Sequence, residues 1–327
     1  MMIHEKRLES IQALIANFPE LQITIEPMFS SLTYFRVGGP ALAAVKLDSV
    51  EQMKAVIEFL KEHDLEFLIL GDGSNVIAPD EGIAKVILLP RFNQVEFRPS
   101  TKRPNTVEVL AEAGITLSTL VKMSVKQGLS GLEPFIGVPG RLGGTIFNNS
   151  HFAGRQIGEY VSEVEILDDR LEQKWLSASE CQFEYDHTRF HNTHEIILSV
   201  KLQLERGDAQ SSLQLMKKHL EYRQNTQPLG LPSSGCIFKN PKNIDTLSQM
   251  FPQFVNKKEI SAGFLIDQAG LKGARVGGMV VSDKHAAFMI NTGNATASDL
   301  KKLIELVKVR VCQQFQVKLE EEVFWLS

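Results

Sequence analysis

A cysteine in an uncommon setting is the first residue that could do chemistry. The stretch LPSSGCIFKN, residues 231–240, places Cys236 after a glycine and before an apolar pair. Its thiol could be a packing group, a nucleophile or a proton donor. A nucleophile needs a base that forms the thiolate, and no cysteine–histidine signature is present. A proton donor needs only a neutral thiol, whose ordinary pKa is about 8.5. The setting favours a proton donor, with Lys239 placed to hold an anionic substrate.

Two glycine-containing loops are candidates for binding a cofactor. Residues 71–76, GDGSNV, follow an apolar run, and their glycines would let backbone N–H groups turn toward a phosphate. The third glycine of the Rossmann fingerprint is missing, so a simple turn between strands remains an alternative. Residues 137–140, GVPG, precede two more glycines and would pack flat against a planar group. Together the two loops indicate a dinucleotide held outside the Rossmann pattern, and therefore a flavin.

Two other groups of polar residues have simpler explanations. His187, His191 and His194 are spaced like metal ligands, but Arg189 lies among them and no carboxylate-rich segment is near. We interpret them as loop histidines and predict no metal site. The acidic segment LEEEVFW, residues 319–325, is either a solvated turn or a carboxylate delivered into a cleft, and its spacing alone favours the turn.

Composition limits the classes of protein. The 327 residues are 43% hydrophobic, which is enough for two or three domains, and the net charge of −4 gives no attraction to nucleic acid or an anionic membrane. No run approaches the roughly 20 apolar residues of a membrane span. The three cysteines are widely spaced, which argues against a disulfide framework. We expect a cytoplasmic protein with a small-molecule substrate and with neither nucleic acid nor membrane as partner. The oligomeric state stays open.

The elements that must position these residues follow an α/β order. Alternation over residues 32–41 predicts a strand that ends at a double glycine. Apolar residues at helical spacing predict helices from a Ser49 cap to about His63, over Leu117–Gln127 and after a Thr296 cap. The other predicted strands lie at residues 65–70, 85–89, 106–112, 161–167 and 196–204. The polar segment 205–212 is the predicted boundary between domains.

These motifs together resemble one family, the UDP-N-acetylenolpyruvoylglucosamine reductases of peptidoglycan precursor synthesis. The resemblance spans nearly the whole chain in the family's order. The matching segments are RVGGPA (36–41), LGDGSNVI (70–77), GVPGRLGGT (137–145), QPLGLPSSGCIFKNP (227–241), SAGFLIDQAGLKGARVGG (261–278), VSDKHAAFMINTGNAT (281–296) and LEEEV (319–323).

The resemblance implies a mixed α/β (α+β) fold. An FAD-binding region of the vanillyl-alcohol-oxidase (PCMH) type, in two subdomains at about 1–98 and 99–208, would precede a smaller α/β substrate-binding domain at 209–327. The uridine diphosphate of the substrate would contact Lys239 and Asn240. The residues implied to line FAD are Arg36, Val37, Gly38, Gly39, Gly71, Gly73, Ser74, Asn75, Val76, Gly137, Val138, Pro139 and Gly140.

The resemblance also implies a mechanism. In the family, NADPH reduces FAD, and the reduced flavin delivers a hydride to the vinyl carbon of the substrate. An arginine and a glutamate stabilise the negative charge that develops, and a serine supplies the proton. In this chain Cys236 occupies the place of the serine, and Glu322 matches the glutamate. A thiol is more acidic than a hydroxyl, so the substitution preserves a general acid.

The arginine is where this chain departs from the family pattern. The family has it directly after a tyrosine, but here Tyr185 is followed by Asp186. The nearest replacement is Arg189, with Arg141 in reserve. Two other functions stay open at this point: a flavin oxidase or dehydrogenase of the same superfamily that acts on an alcohol, and a non-catalytic nucleotide-sugar binding protein.

Overall fold

The computed structural model describes residues 2–101 and 103–327, and the chain forms two compact units. The first contains the residues up to Glu26 and the ranges Ala41–Asp72 and Ala84–Arg223; the second contains Pro27–Pro40, Gly73–Ile83 and Gln224–Ser327. Two short N-terminal segments therefore belong with the C-terminal unit, which a division at residues 208/209 does not anticipate. No helix in the described ranges is long and apolar enough to cross a membrane.

The α-helices of the described residues range from one turn to five. In chain order they are α1 Met2–Asn17, α2 Phe29–Leu32, α3 Val50–Glu62, α4 Leu117–Lys126, α5 Leu142–Phe147, α6 Ala209–Thr226, α7 Asp245–Met250, α8 Ala262–Gln268 and α9 Ala297–Phe315. Short 3-10 helices lie at Glu133–Phe135, Ile157–Tyr160, Arg189–Asn192 and Pro252–Phe254.

The strands are mostly short. They are β1 Ile23–Ile25, β2 Ala41–Leu47, β3 Phe67–Ile69, β4 Val76–Ile77, β5 Ile83–Pro90, β6 Val95–Pro99, β7 Thr106–Glu112, β8 Leu129–Ser130, β9 His151–Phe152, β10 Arg155–Gln156, β11 Val161–Leu167, β12 Gln173–Ser177, β13 Ile196–Arg206, β14 Arg275–Val276, β15 Met279–Val281, β16 Met289–Asn291 and β17 Phe324–Trp325.

The first unit is built on two sheets. One has the strand order β1-β2-β5-β3, with β1 antiparallel to β2 and β3 parallel to β5. The other is antiparallel in the order β12-β11-β13-β7-β6, and β8 adds to the end of β13. In β7 every second residue is buried, as expected for a strand with one face on the core. The buried face of α4 belongs to the same hydrophobic core.

The second unit is organised around α9. Thr296 caps this helix in a capping box with Asp299, and the buried side chains recur at helical spacing from Leu300 to Phe315. The Asp80 carboxylate accepts hydrogen bonds from the N–H groups of Ala297 and Ser298, at 2.7 and 2.9 Å. The segment Gly73–Ile83 is thereby fixed to the first turn of α9.

Most of the expected elements are confirmed, but the strand expected at residues 32–41 is wrong. That segment begins in α2 and then runs irregularly, because Arg36 and Gly38 adopt positive φ angles of 55° and 105°. A β-strand requires negative φ throughout. The double glycine does permit a close approach, as expected, but the partner is protein. A Cβ added at Gly39 would lie 2.2 Å from the carbonyl oxygen of Asp80.

We predict that Gly39→Ala destabilises the fold by about 2–3 kcal/mol, because the backbone must shift to admit the methyl group. Gly144→Ala is the matched control, since an added Cβ there meets no atom within 4 Å. In a helix this exchange is neutral or stabilising by roughly 0.5–1 kcal/mol. Urea unfolding of the two variants measures the difference, and equal midpoints would contradict the steric explanation.

Candidate active site

Cys236 and Glu322 lie on paired backbone segments of the second unit. Phe238 and Glu321 form an antiparallel bridge, flanked by hydrogen bonds from Lys239 N–H to Glu320 carbonyl (2.9 Å) and from Glu322 N–H to Ile237 carbonyl (2.8 Å). Cys236 itself bridges to Phe288 on the other side. The thiol-bearing segment is therefore held from two sides, and the predicted proton donor and carboxylate belong to one backbone ladder.

Further contacts fix the segment that carries Glu322. The Asn75 side-chain amide donates to the Glu322 carbonyl at 3.2 Å, and the Asn75 carbonyl accepts from Phe324 N–H at 3.0 Å. Glu321 binds the Lys308 ammonium and also accepts from the Trp325 indole N–H. Burial disfavours the charge of Lys308, but its acidic partners outweigh burial and raise its pKa. Asn75, predicted as a cofactor ligand, thus positions the carboxylate segment.

The predicted substrate-binding residues follow the thiol. Lys239 is half-buried and its backbone belongs to the ladder. The side-chain oxygen of Asn240 accepts from Ala262 N–H at 3.0 Å, next to the Ser261 cap of α8. The amide oxygen of Asn240 therefore already has a structural role, and its NH₂ group is the part that remains suited to a ligand.

Three buried polar atoms lie on the same motif. The Gln227 Oε1, Ser233 Oγ and Ser234 Oγ atoms have no hydrogen-bond partner among the described residues, although each residue is at most 8% exposed. Buried polar atoms are nearly always paired, so unpaired ones in a functional motif indicate a ligand or water. Gly235 between them and the thiol has φ of 78°, and an added Cβ would meet nothing within 4 Å.

The cofactor residues expected at positions 36–39 of the second unit differ in burial. Val37 is in the hydrophobic core, while Arg36 is exposed, and the Asn291 amide donates to the carbonyls of Phe35 and Arg36. Gly38 packs tightly, since an added Cβ would lie 2.7 Å from that of Ala78. The glycines of this segment are required by packing as well as by any ligand.

Gly73 is constrained in the same way. An added Cβ would lie 2.5 Å from the Leu32 carbonyl oxygen, and its φ is 63°. Ser74 and Val76 follow on the same unit, with Val76 in β4 paired parallel to β17. The sequence pattern that we interpreted as a phosphate loop thus also joins two short strands.

In the first unit, the start of the 71–76 loop lies beside the end of the 137–140 loop. Arg141, at the end of the 137–140 loop, binds the Asp72 carboxylate at 2.6 Å through Nε and also donates to the Gly114 carbonyl. Its Cβ lies 3.7 Å from the position of a Cβ added at Gly71. The expectation that these loops serve one cofactor is consistent with this contact.

The 137–140 loop is held by its own backbone and by neighbouring side chains. Gly137 has φ of 76° and its N–H donates to the Ser118 hydroxyl, while Val138 N–H donates to the Phe135 carbonyl. Pro139 leads to Gly140, which has φ of 114° and accepts from Leu117 N–H. These contacts within the protein therefore fix the backbone conformation of the turn.

The first unit offers space and charge that fit FAD. A Cβ added at Gly71 would lie 3.7 Å from Arg141 Cβ, an ordinary van der Waals distance, and one at Gly144 would meet no atom within 4 Å. Gly144 therefore faces open space, and Gly71 has room for a carbon atom without a clash. Arg91 and Arg141 lie close enough to affect each other. Burial first, and then the charge of Arg141, lowers the pKa of Arg91, while Asp72 opposes this. Two arginines beside one carboxylate leave a positive site that suits a diphosphate.

Both arginines proposed for catalysis are already engaged. Arg189 donates from Nη2 to Glu195 at 3.0 Å and from Nη1 to the Glu180 carbonyl at 3.3 Å, and its Nε is buried without a partner among the described residues. Arg141 is bound to Asp72 and Gly114 as described above. The catalytic role of Arg189 stays a prediction, and its ion pair with Glu195 counts against it.

One buried arginine was not identified from sequence. Arg223 is 6% exposed on α6, and its guanidinium lies 4.8 Å from the Phe152 ring centroid. Its Nε is 3.3 Å from the position of a Cβ added at Gly137. It lies in a polar helix with no motif around it, so only its three-dimensional contact with the glycine loop reveals it.

Comparisons with known proteins agree with this geometry. The family described as "FAD binding domain" matches residues 41–176, and the one described as "UDP-N-acetylenolpyruvoylglucosamine reductase, C-terminal domain" matches residues 227–326. A protein from Alkaliphilus oremlandii named UDP-N-acetylenolpyruvoylglucosamine reductase is 35% identical over 319 residues, 97% of each chain. The chain belongs to the UDP-N-acetylenolpyruvoylglucosamine reductase family.

Two further relatives support this membership. A UDP-N-acetylenolpyruvoylglucosamine reductase from Carboxydothermus hydrogenoformans is 36% identical over 91% of each chain. The crystal structure of the reductase from Thermus caldophilus superposes with a TM-score of 0.73 at 28% identity, covering 94% of this chain and all of that one. The expected fold, a mixed α/β chain with an FAD-binding region followed by a C-terminal domain of this reductase family, is confirmed. This reductase-family chain is an FAD-dependent oxidoreductase with NADPH as reductant.

We predict that Gly71→Ala weakens FAD binding about tenfold to a hundredfold, because the added methyl group would crowd a cofactor bound against this loop, at a cost of roughly 1–3 kcal/mol. The fold has room for it, so the free energy of unfolding of the flavin-free protein should change by less than about 1 kcal/mol. Flavin fluorescence titration measures the affinity. Unchanged affinity would show that Gly71 does not line the cofactor.

Proposed function

We propose that the chain reduces UDP-N-acetylglucosamine enolpyruvate to UDP-N-acetylmuramate with electrons from NADPH. Bound FAD would supply the hydride-transfer chemistry that connects NADPH with the methylene carbon of the enol ether. The neighbouring carbon then carries negative charge that its carboxylate shares, and it must gain a proton. The hydride and the proton together saturate the double bond, and NADPH supplies both electrons.

We assign the proton to Cys236. Its neutral thiol donates from Sγ to the carbon beside the carboxylate, and solvent then reprotonates the thiolate. The flanking contacts described above hold the backbone on both sides of this residue, which limits its motion. Gly235, with its open side, leaves room for a ligand to approach the thiol.

Glu322 is the second group that we assign to this step. Its backbone is fixed by Ile237 and Asn75, and the adjacent Glu321 is bound by Lys308. A carboxyl group carried on a backbone fixed in this way can hydrogen-bond the developing enolate-like charge when it is protonated. The single observation that carries the proposal is that Cys236 and Glu322 share one ladder in a chain of this reductase family.

The other two functions have less support. An alcohol-oxidising flavoenzyme has no need for a proton donor at Cys236. A binding protein has no need for either Cys236 or Glu322. The curated relatives that align over nearly all of the chain are named as reductases.

Anaerobic half-reactions test the proposal directly. The flavin is reduced with NADPH, and UDP-N-acetylglucosamine enolpyruvate is then added while flavin absorbance is followed. Rapid reoxidation with one UDP-N-acetylmuramate formed per flavin is the expected result. A flavin that NADPH reduces but the enol ether does not reoxidise would make the alcohol-oxidising function the one to examine.

We predict that Cys236→Ala lowers turnover by roughly 10²–10⁴-fold, whereas Cys236→Ser retains activity, because a hydroxyl can still donate the proton. Flavin reduction by NADPH should be unchanged in both variants. Turnover of Cys236→Ala equal to that of the unaltered protein would remove Cys236 from the mechanism.

Thiol reagents give an independent test of the same residue. Cys181 should not react, since it is fully buried and burial raises its pKa to about 12. Cys312 is half-buried, so Cys312→Ala is the background for the experiment. In that background N-ethylmaleimide should abolish turnover, and bound enol ether should protect. Cys236→Ser should be resistant, and inactivation of this variant would point to a different thiol.

A further inference from the structure

A histidine of the second unit contacts the residue that pairs with Cys236. A backbone bridge joins Cys236 to Phe288, and Ile237 N–H donates to the Ala287 carbonyl at 2.9 Å. This pattern makes Cys236 and Phe288 a non-hydrogen-bonded antiparallel pair, in which the Cα atoms approach to about 4.5 Å and the side chains lie closest. The thiol and the Phe288 ring therefore project from the same face of the paired segments.

The imidazole of His285 packs against that ring. The His285 and Phe288 ring centroids lie 4.9 Å apart at an interplanar angle of 66°, and Phe288 N–H donates to the His285 carbonyl at 2.9 Å. The two residues therefore close one turn, and His285, Phe288 and Cys236 are successive neighbours. The sequence shows no cysteine–histidine signature because Cys236 and His285 are far apart along the chain.

Hydrogen bonds and packing hold His285 in place. The Ser282 hydroxyl oxygen accepts from the N–H groups of Lys284 and His285, both at 3.2 Å, and Ser282 is 2% exposed. Helix α8 limits the ring as well, because a Cβ added at Gly263 would lie 3.1 Å from His285 Cε1. The imidazole therefore contacts both α8 and Phe288, and these contacts restrict its rotation.

The hydrogen bonds of the ring determine which nitrogen carries the proton. Ala287 N–H donates to His285 Nδ1 at 3.3 Å, so Nδ1 is an acceptor and has no hydrogen. Burial lowers the pKa of His285, partly offset by a backbone hydrogen bond, and the charge of Lys272 also lowers it. The neutral imidazole therefore has its proton on Nε2, and no residue in the described ranges forms a hydrogen bond with that atom.

The proposed reaction gives such a donor a use. When Cys236 transfers its proton to the substrate carbon, an S–H bond breaks, a C–H bond forms and the sulfur becomes a thiolate. A thiolate beside an apolar ring such as that of Phe288 is costly unless a donor compensates for lost solvent. A hydrogen bond to the anion favours the charged form and makes the thiol a better acid.

We infer that His285 Nε2–H donates a hydrogen bond to the sulfur of Cys236 and stabilises the thiolate that forms when the proton leaves. The inference rests on the proposed function. His285 is a positioning residue that acts through the thiol. It is neither the proton source nor a base, because its Nε2 donates and solvent returns the proton to the thiolate.

Alkylation of the holoenzyme without substrate tests this hydrogen bond. The background is Cys312→Ala, since the other remaining thiol, Cys181, is fully buried. In this background His285→Asn should slow alkylation of Cys236 by iodoacetamide about tenfold at neutral pH, because asparagine keeps an acceptor for Ala287 N–H but has no donor in place of Nε2–H. His285→Gln should stay within about threefold, because its amide N–H can replace Nε2–H.

Asp283→Asn is the matched control for these variants. Asp283 is exposed on the same turn, so its replacement alters the local charge and leaves the imidazole in place. Its alkylation rate should change by less than about twofold, because exposed charges are screened by solvent. Mass spectrometry confirms that Cys236 is the alkylated residue, and thermal unfolding and flavin content are measured for each variant.

Anaerobic half-reactions separate this role from direct binding of the substrate. With Cys236 present, His285→Asn should slow reoxidation of the reduced flavin by the enol ether roughly tenfold to a hundredfold, as for loss of one hydrogen bond to a charged group. Flavin reduction by NADPH should be unchanged. In Cys236→Ala the same change should have little further effect, because the sulfur on which Nε2–H acts is gone.

Several outcomes would overturn the inference. An unchanged alkylation rate in His285→Asn would remove the imidazole from the thiol. The full loss of reoxidation rate when His285→Asn is added to Cys236→Ala would show that Nε2–H acts on the substrate instead. Equal losses in His285→Asn and His285→Gln, with lowered unfolding midpoints, would mark a structural role. If the enol ether does not reoxidise the unaltered protein but His285→Asn still slows alkylation, the proposed function fails and the hydrogen bond to the thiol stands.

Discussion

The chemistry of the second unit depends on backbone hydrogen bonds between the segment after Cys236 and the chain terminus. Residues 237–239 and 320–322 are far apart in sequence, and neither segment is long enough to form a stable strand alone. Their pairing holds the thiol and Glu322 in a common frame. Because backbone groups make these bonds, a serine or cysteine at position 236 changes the reactive atom without changing the support.

In the first unit, basic side chains are paired with carboxylates or aromatic rings. Several basic side chains of this unit have a carboxylate or an aromatic ring beside them: Arg141 with Asp72, Arg189 with Glu195, Arg223 over Phe152 and His151 with Asp186. Buried charge without a partner costs several kcal/mol. Arg189 uses both of its outer nitrogens within the unit, in bonds to Glu195 and to the Glu180 carbonyl.

The sequence predicted most helices and strands because their apolar spacing is regular, as in α9, where Thr296 caps a single buried face. It also predicted the family, through motifs distributed along the chain. It did not predict that residues 27–40 and 73–83 join the C-terminal unit, because that assignment depends on contacts such as those of Asp80 with α9. Arg223 and the pairing of His151 with Asp186 were likewise invisible, since each depends on residues that are distant in sequence.

The glycines show why a motif alone cannot separate packing from binding. Gly39 and Gly73 lack side chains because protein backbone lies within about 2.5 Å of where a Cβ would be. A Cβ at Gly71 would meet Arg141 Cβ only at an ordinary contact distance of 3.7 Å, and one at Gly144 would meet nothing within 4 Å. In sequence all four belong to equally conspicuous glycine loops. Only the second pair is not closed off by protein backbone, so the flavin contact should be sought at Gly71 and along the 137–144 segment, while Gly39 and Gly73 set the backbone path that carries neighbouring residues.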